Sequence, residues 1–178
     1  SVEALVRWND DEIGVVTPDE LIPIAEENGM IHEIGSFVIE TACAQSRDWK
    51  AKGINMRISI NSSIREFRDK DMASKLIEQI KATNCDPQSL TIEITEKFAL
   101  EAEAERPIMQ QMNRLNQQGV QFALDDFGTG YASFRYMLLL PISSLKIDRT
   151  IIQSITKQEK MQKMINGMIQ FGKSLDFQ

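Results

Sequence analysis

Five short apolar runs, separated by helix-like stretches, each carry a polar residue inside them or at their carboxyl end. Glu3 lies in the run 2–6, Asn61 closes 56–60 and Glu93 sits in 90–94. Asp125 and Asp126 follow 122–124, and Lys146 sits in 144–147. A buried strand does not keep a charge without a partner, because burying an unpaired charge is very costly. Alternation of strand-like and helix-like pieces favours an α/β fold with parallel strands. Polar residues at the carboxyl ends of successive strands fit a TIM-like (β/α)8 barrel, whose active sites gather at that face. Each residue also has a plainer reading. Asn61 can cap the turn before Arg65, and Lys146 can snorkel to the surface. Five plain readings at once are less economical than one shared pocket.

The densest of these segments is ALDDFGTGY, residues 123–131. It reads as a buried strand delivering Asp125 and Asp126 into a flexible, Gly-rich turn. Adjacent carboxylates repel, and a cation between them lets both stay ionised. One bridging and one terminal acid are what a two-metal site for phosphoryl chemistry needs. The alternative is that both acids cap the following helix.

Between the runs, the pattern predicts a loop over 10–17 with a turn at Gly14, then a helix over 18–28 with Thr17 as cap and Pro18 in its first turn. A second helix is expected over 31–52, with Ile34, Phe37, Val38, Thr41 and Ala42 on one face. Others are expected over 70–83, 101–118, 132–139 and 159–174, with Pro107 starting the main part of the fourth. Met161, Met164 and Met168 form a core-facing stripe on the last.

The charge of −6, without any basic run, argues against a duplex nucleic acid partner. It leaves room for a small phosphate ligand. Cys43 and Cys85 have neither metal-site spacing nor a disulfide framework, and read as ordinary thiols of a reducing compartment. No run approaches a membrane span and no leader is visible, which points to the cytoplasm, with any anchor outside this segment. The chain opens inside a strand-like run without Met and closes just past a helix, so it reads as one domain, 1–178, cut at both ends. A barrel of this kind would then lack its first strand and its last strands.

The blocks EAL at 3–5 with Arg7 and Trp8, IPIAEENG after Pro18, ISINSS around Asn61, EITE at 93–96, DDFGTGYAS and Lys146-Ile147-Asp148 resemble, in order and spacing, the EAL domain family of bacterial cyclic di-GMP phosphodiesterases. The resemblance implies a TIM-like barrel that hydrolyses cyclic di-GMP to linear pGpG with two Mg²⁺ or Mn²⁺ ions. It implies that Glu3, Asn61, Glu93 and Asp125 hold one ion, and that Asp125 bridges to a second beside Asp126. Lys146 would orient or activate the attacking water, Arg7 would contact a substrate phosphate, and Glu96 would anchor the DDFGTGY loop. A hard-oxygen set without His or Cys agrees with Mg²⁺ or Mn²⁺ rather than zinc.

The same resemblance implies a homodimer formed through the helix after that loop, with Tyr136, Met137 and Leu138 as candidate contacts. Sensory or GGDEF-type domains can accompany such a domain in a parent protein. A further metal-ligand Glu and a Gln would lie after Gln178, and a substrate-binding segment before Ser1. The segment alone is therefore expected to be inactive, while the parent domain is competent. The alternative is a receptor that binds cyclic di-GMP without cleaving it.

Overall fold

The computed structural model describes residues 1–128, 134–153 and 159–177, apart from the side chains of residues 103, 134 and 136. Residues 129–133 of the Gly-rich segment and the Tyr136 side chain lie outside these. Five strands form one parallel sheet: β1 (Val2–Ala4), β4 (Ile58–Asn61), β5 (Leu90–Thr95), β6 (Gln121–Phe127) and β7 (Ile142–Ile147), adjacent in that order. They are the five apolar runs of the sequence. β2 (Trp8–Asp10) and β3 (Gly14–Val16) pair antiparallel as a separate hairpin. The sequence reads residues 10–17 as a loop, because a three-residue strand is too short to show alternation.

Helices join the strands as parallel pairing demands. They are α1 (Pro18–Glu27), α2 (Ile31–Ala51), α3 (Ile64–Arg68), α4 (Met72–Ala82), α5 (Glu96–Ala104), α6 (Arg106–Gln117), α7 (Phe134–Leu139), α8 (Arg149–Gln153) and α9 (Glu159–Ser174). Thr17 starts α1 through a reciprocal box, its amide and hydroxyl both donating to Glu20 Oε2 at 3.1 and 2.8 Å. Helix α5 begins at Glu96, well before the expected 101, because the Thr95 hydroxyl accepts the Phe98 amide at 3.2 Å and caps it. Among the described residues no helix is long and apolar enough to cross a membrane.

Side chains alternate across each strand. Ile58, Ile60, Leu90, Ile92, Ile94, Phe122 and Leu124 are buried and share one core with Ala42 and Cys43 of α2, Leu76 and Ile80 of α4, and Ile108, Met112 and Leu115 of α6. Burying each such aliphatic side chain contributes roughly 1.5–3 kcal/mol. The opposite face of the strands carries Ser59, Asn61, Thr91, Glu93, Asp125 and Lys146, a polar row broken only by Ala123.

Three expectations about faces are corrected. On α2 the buried line runs through Ile39, Ala42, Cys43 and Ser46, and Phe37 and Thr41 are exposed. On α9 the inward line is Met161, Ile165, Met168 and Gly172, at helical spacing, and Met164 faces out. On α7 Met137 is buried in the core, so it is no surface contact, whereas Leu138 and Leu139 are exposed.

Candidate active site

Register brings the polar row together. Glu93 stands beside Asn61 on one side and Ala123 on the other, Glu3 pairs with Ser59, and Asp125 pairs with Thr95. Lys146 lies two residues beyond Ser144, the partner of Ala123, which aligns it with Asp125. The carboxyl ends of β1, β4, β5, β6 and β7 therefore deliver side chains to one place.

There one carboxylate oxygen from each of Glu3, Glu93 and Asp125 lies within 4.8 Å of the other two. Lys146 Nζ donates to Glu93 Oε2 at 2.7 Å and to Asp125 Oδ2 at 2.9 Å, and lies 3.6 Å from Glu3 Oε2. Burial alone would lower the Lys146 pKa, but the bonds to Glu93 and Asp125 outweigh it and hold the ammonium above the usual lysine range. Asn61 Nδ2 donates to Glu3 Oε1 at 2.7 Å, tying the amide to the cluster.

Asp125 and Asp126 are not in a loop. β6 continues through Phe127, with a register irregularity after Leu124 and a left-handed backbone at Asp126, φ 54°. That break lets two successive residues stand at one strand end. Asp125 Oδ1 accepts the Asp126 amide at 2.9 Å, leaving Oδ2 for Lys146. Asp126 lies outside the three-carboxylate group and is exposed; desolvation, then the charges of Asp125 and Asp148, raise its pKa. Just past it, Gly128 donates its amide to Oε1 of the buried Glu96 at 3.2 Å. Asp148 accepts the Thr150 amide and hydroxyl, which lowers its pKa, and so starts α8.

Arg7 is not brought into this cluster. It is exposed, donates to the Val6 carbonyl at 2.8 Å, and borders a second hollow, of about 270 Å³, with Phe37 and Trp49, which Glu3 of the cluster also lines. Asn61 and Glu93 instead open on a larger cleft of about 720 Å³, walled by Pro23, Ile34, Arg65 and Lys97. Arg65 is bound to Glu26, and Arg68 to Glu101 and Glu105. The sequence pattern does not single out Arg65 or Lys97. The Ser63–Glu66 spacing is, however, a capping-box signal that places α3, and with it Arg65, on this wall.

The family model for the EAL domain matches residues 1–178. The cyclic di-GMP phosphodiesterase PdeR of Escherichia coli is 34% identical over 179 residues, covering 100% of this chain and 27% of that protein. The bifunctional diguanylate cyclase/cyclic di-GMP phosphodiesterase MucR of Pseudomonas aeruginosa is 33% identical over 177 residues, covering 98% of this chain and 25% of that protein. The chain thus spans about a quarter of the length of these relatives. In structure it is similar to the PaMucR phosphodiesterase in complex with c-di-GMP, with TM-score 0.88 and 32% identity over 98% of this chain and 70% of that one. The five-stranded parallel sheet is accordingly part of a TIM-like barrel.

Proposed function

The chain belongs to the EAL domain family, and from that premise we propose that it supplies the catalytic centre of a phosphodiesterase cleaving cyclic di-GMP to linear pGpG. The observation that carries this reading is the convergence of Glu3, Glu93 and Asp125, from three strands, on one cationic centre. An acidic cluster at the carboxyl face of a barrel sheet is where a phosphate ester and the cations that neutralise it would be held.

The residues fit divalent ions. All donors are hard oxygens, three carboxylates and an amide, and the site already binds positive charge. In this reading Glu3, Asn61, Glu93 and Asp125 hold one Mg²⁺ or Mn²⁺, and Asp125 with Asp126 holds a second. When bound, the ions supply Lewis acidity at the phosphate and ease loss of a proton from water. Asn61 would present its oxygen by turning its amide over. Lys146 would orient the attacking water, and Arg7 would fork onto a substrate phosphate, which its fixed guanidinium geometry suits. Glu96, through the Gly128 amide, would fix the strand end that carries both aspartates.

A homodimer through the exposed Leu138 and Leu139 of α7, sensory or GGDEF-type neighbours in a longer parent, and a cytoplasmic location complete the reading. The test is turnover by the intact protein. Mg²⁺ or Mn²⁺ should support conversion of cyclic di-GMP to pGpG, followed by chromatography, and a chelator should stop it. Tight binding of cyclic di-GMP with no product in either metal would make the protein a receptor instead.

A further inference from the structure

Lys146 does not merely stand near the acids. Its Nζ takes one oxygen each from Glu93 and Asp125 and approaches a third on Glu3, at 2.7, 2.9 and 3.6 Å. The Glu93 and Asp125 side chains are 3% and 21% exposed, whereas Lys146, at 38%, is as open as Glu3 at 36%, so the two acids that Lys146 bonds are held in place and the lysine is free to turn outward. Its flexible stem makes such a swing possible without moving the strand.

Resting on the metal reading above, we propose that Lys146 is an internal competitor for the divalent-ion seat: its ammonium and the ion use the same three carboxylates and exclude each other. A hard cation must come within about 2.0–2.6 Å of the oxygens that now face Nζ. Two cations that close together in a partly buried site repel strongly. Ion entry therefore requires Lys146 to leave Glu93 and Asp125. The departure frees Nζ to face the water and phosphate, so metal loading and the catalytic placement of Lys146 become one event. Until then the ammonium relieves repulsion among the three acids and keeps the strand ends assembled.

The competition gives Lys146→Met a two-sided signature. Removing the ammonium exposes the acids to mutual repulsion, so the intact protein melts lower in chelator. It also vacates the seat, so Mn²⁺ binds more tightly. If the lysine holds the seat in nine molecules of ten, the apparent Kd for Mn²⁺ falls about tenfold. A purely structural lysine would lower both stability and affinity, and one whose charge only repels the ion from nearby would tighten binding without itself becoming more reactive as the ion binds.

The experiment is calorimetric titration of the intact protein with Mn²⁺ alone, beside thermal melts in chelator, for wild type, Lys146→Met and Lys146→Arg. Tighter binding by the Met variant only, with the charge-retaining Arg variant as weak as wild type, is the expected result. Unchanged or weaker binding by the Met variant, or tightening by the Arg variant, overturns the competition while leaving the metal reading intact. Failure of all three to bind Mn²⁺ overturns both. A wild-type measurement stands beside these if a variant does not fold. Acylation of Lys146 by an amine-directed reagent, followed by peptide mass spectrometry, should quicken as Mn²⁺ is added, and an unchanged or slower rate rejects the proposal.

Discussion

Glu66 and Glu93 border the same cleft and are about equally buried, 5% and 3% exposed, yet their surroundings differ in kind. Glu66 is the reciprocal partner of a helix cap. Its Oε2 accepts the Ser62 hydroxyl at 2.9 Å and the Ser63 amide at 2.8 Å, all neutral donors. Gly35 leaves it room: a Cβ there would lie 1.9 Å from Glu66 Oε1. Burial, only partly offset by those bonds, raises the Glu66 pKa. Glu93 meets an ammonium and two more carboxylates drawn from other strands. Burial alone therefore does not mark an acid as chemical. What separates the two is charge: neutral donors make a cap, whereas converging charges from several elements make a site.

The largest test of that contrast is to remove one converging charge. Asp125→Ala leaves Lys146 and Glu93 without their shared neighbour and takes away the acid proposed to bridge two ions. Turnover of cyclic di-GMP by the intact protein should fall by about 10³-fold or more, while Glu66→Gln should leave it near wild type. Equal losses in the two variants would erase the distinction. Next in size is Lys146→Ala. Loss of acid–base or electrostatic help should slow kcat by about 10²-fold, with substrate binding less affected. A rise in KM at unchanged kcat would reassign Lys146 to substrate binding.

The same contrast explains what could be read before the structure. Glu3, Asn61, Glu93, Asp125 and Lys146 stood out because each breaks an apolar run, and a period of two then puts them on one face. The five runs became the five parallel strands for the same reason. Glu66 did not stand out, since a five-residue helix offers too little periodicity to mark its buried side. The hairpin of β2 and β3 was hidden likewise. The left-handed turn at Asp126 and the break in register after Leu124 arise where β6 pairs with β7, a pairing between segments distant in sequence that no local pattern carries. Met137 and Leu138 are adjacent and equally apolar, so only tertiary contact decides that the first is buried and the second is not.

Gly128 tests how firmly the charged region is held. Its φ is 103°, and a Cβ there would lie 2.4 Å from Ile151 Cδ1. Gly128→Ala thus combines backbone strain with a clash beside the Glu96 anchor, and should cost about 1–3 kcal/mol in denaturant unfolding. It should also lower turnover, because Asp125 and Asp126 lie on the strand that this anchor ends. Unchanged stability would mean that the strand end relaxes freely and that Glu96 does not fix it.

Glu66→Gln is the smallest effect and the one whose sign is most informative. The folded-state pKa of Glu66 is raised above its ordinary 4.5 by burial first, with Glu26 adding to it and the Ser62 and Ser63 bonds and the charge of His32 opposing. A raised folded pKa means that the folded state holds the proton more tightly than the unfolded chain. This contribution is fully present below the unfolded value and is lost as pH rises through the folded one. Gln keeps an acceptor for Ser62 and Ser63 and has no proton to lose. The stability of Glu66→Gln relative to wild type should therefore climb from acid toward neutral pH and then level off, as read from urea midpoints across that range. A difference that is flat, or that falls with pH, would show that Glu66 is stabilised as a carboxylate. In that case neutral donors would hold a buried charge as well as Lys146 does, and the contrast between the two glutamates would fail.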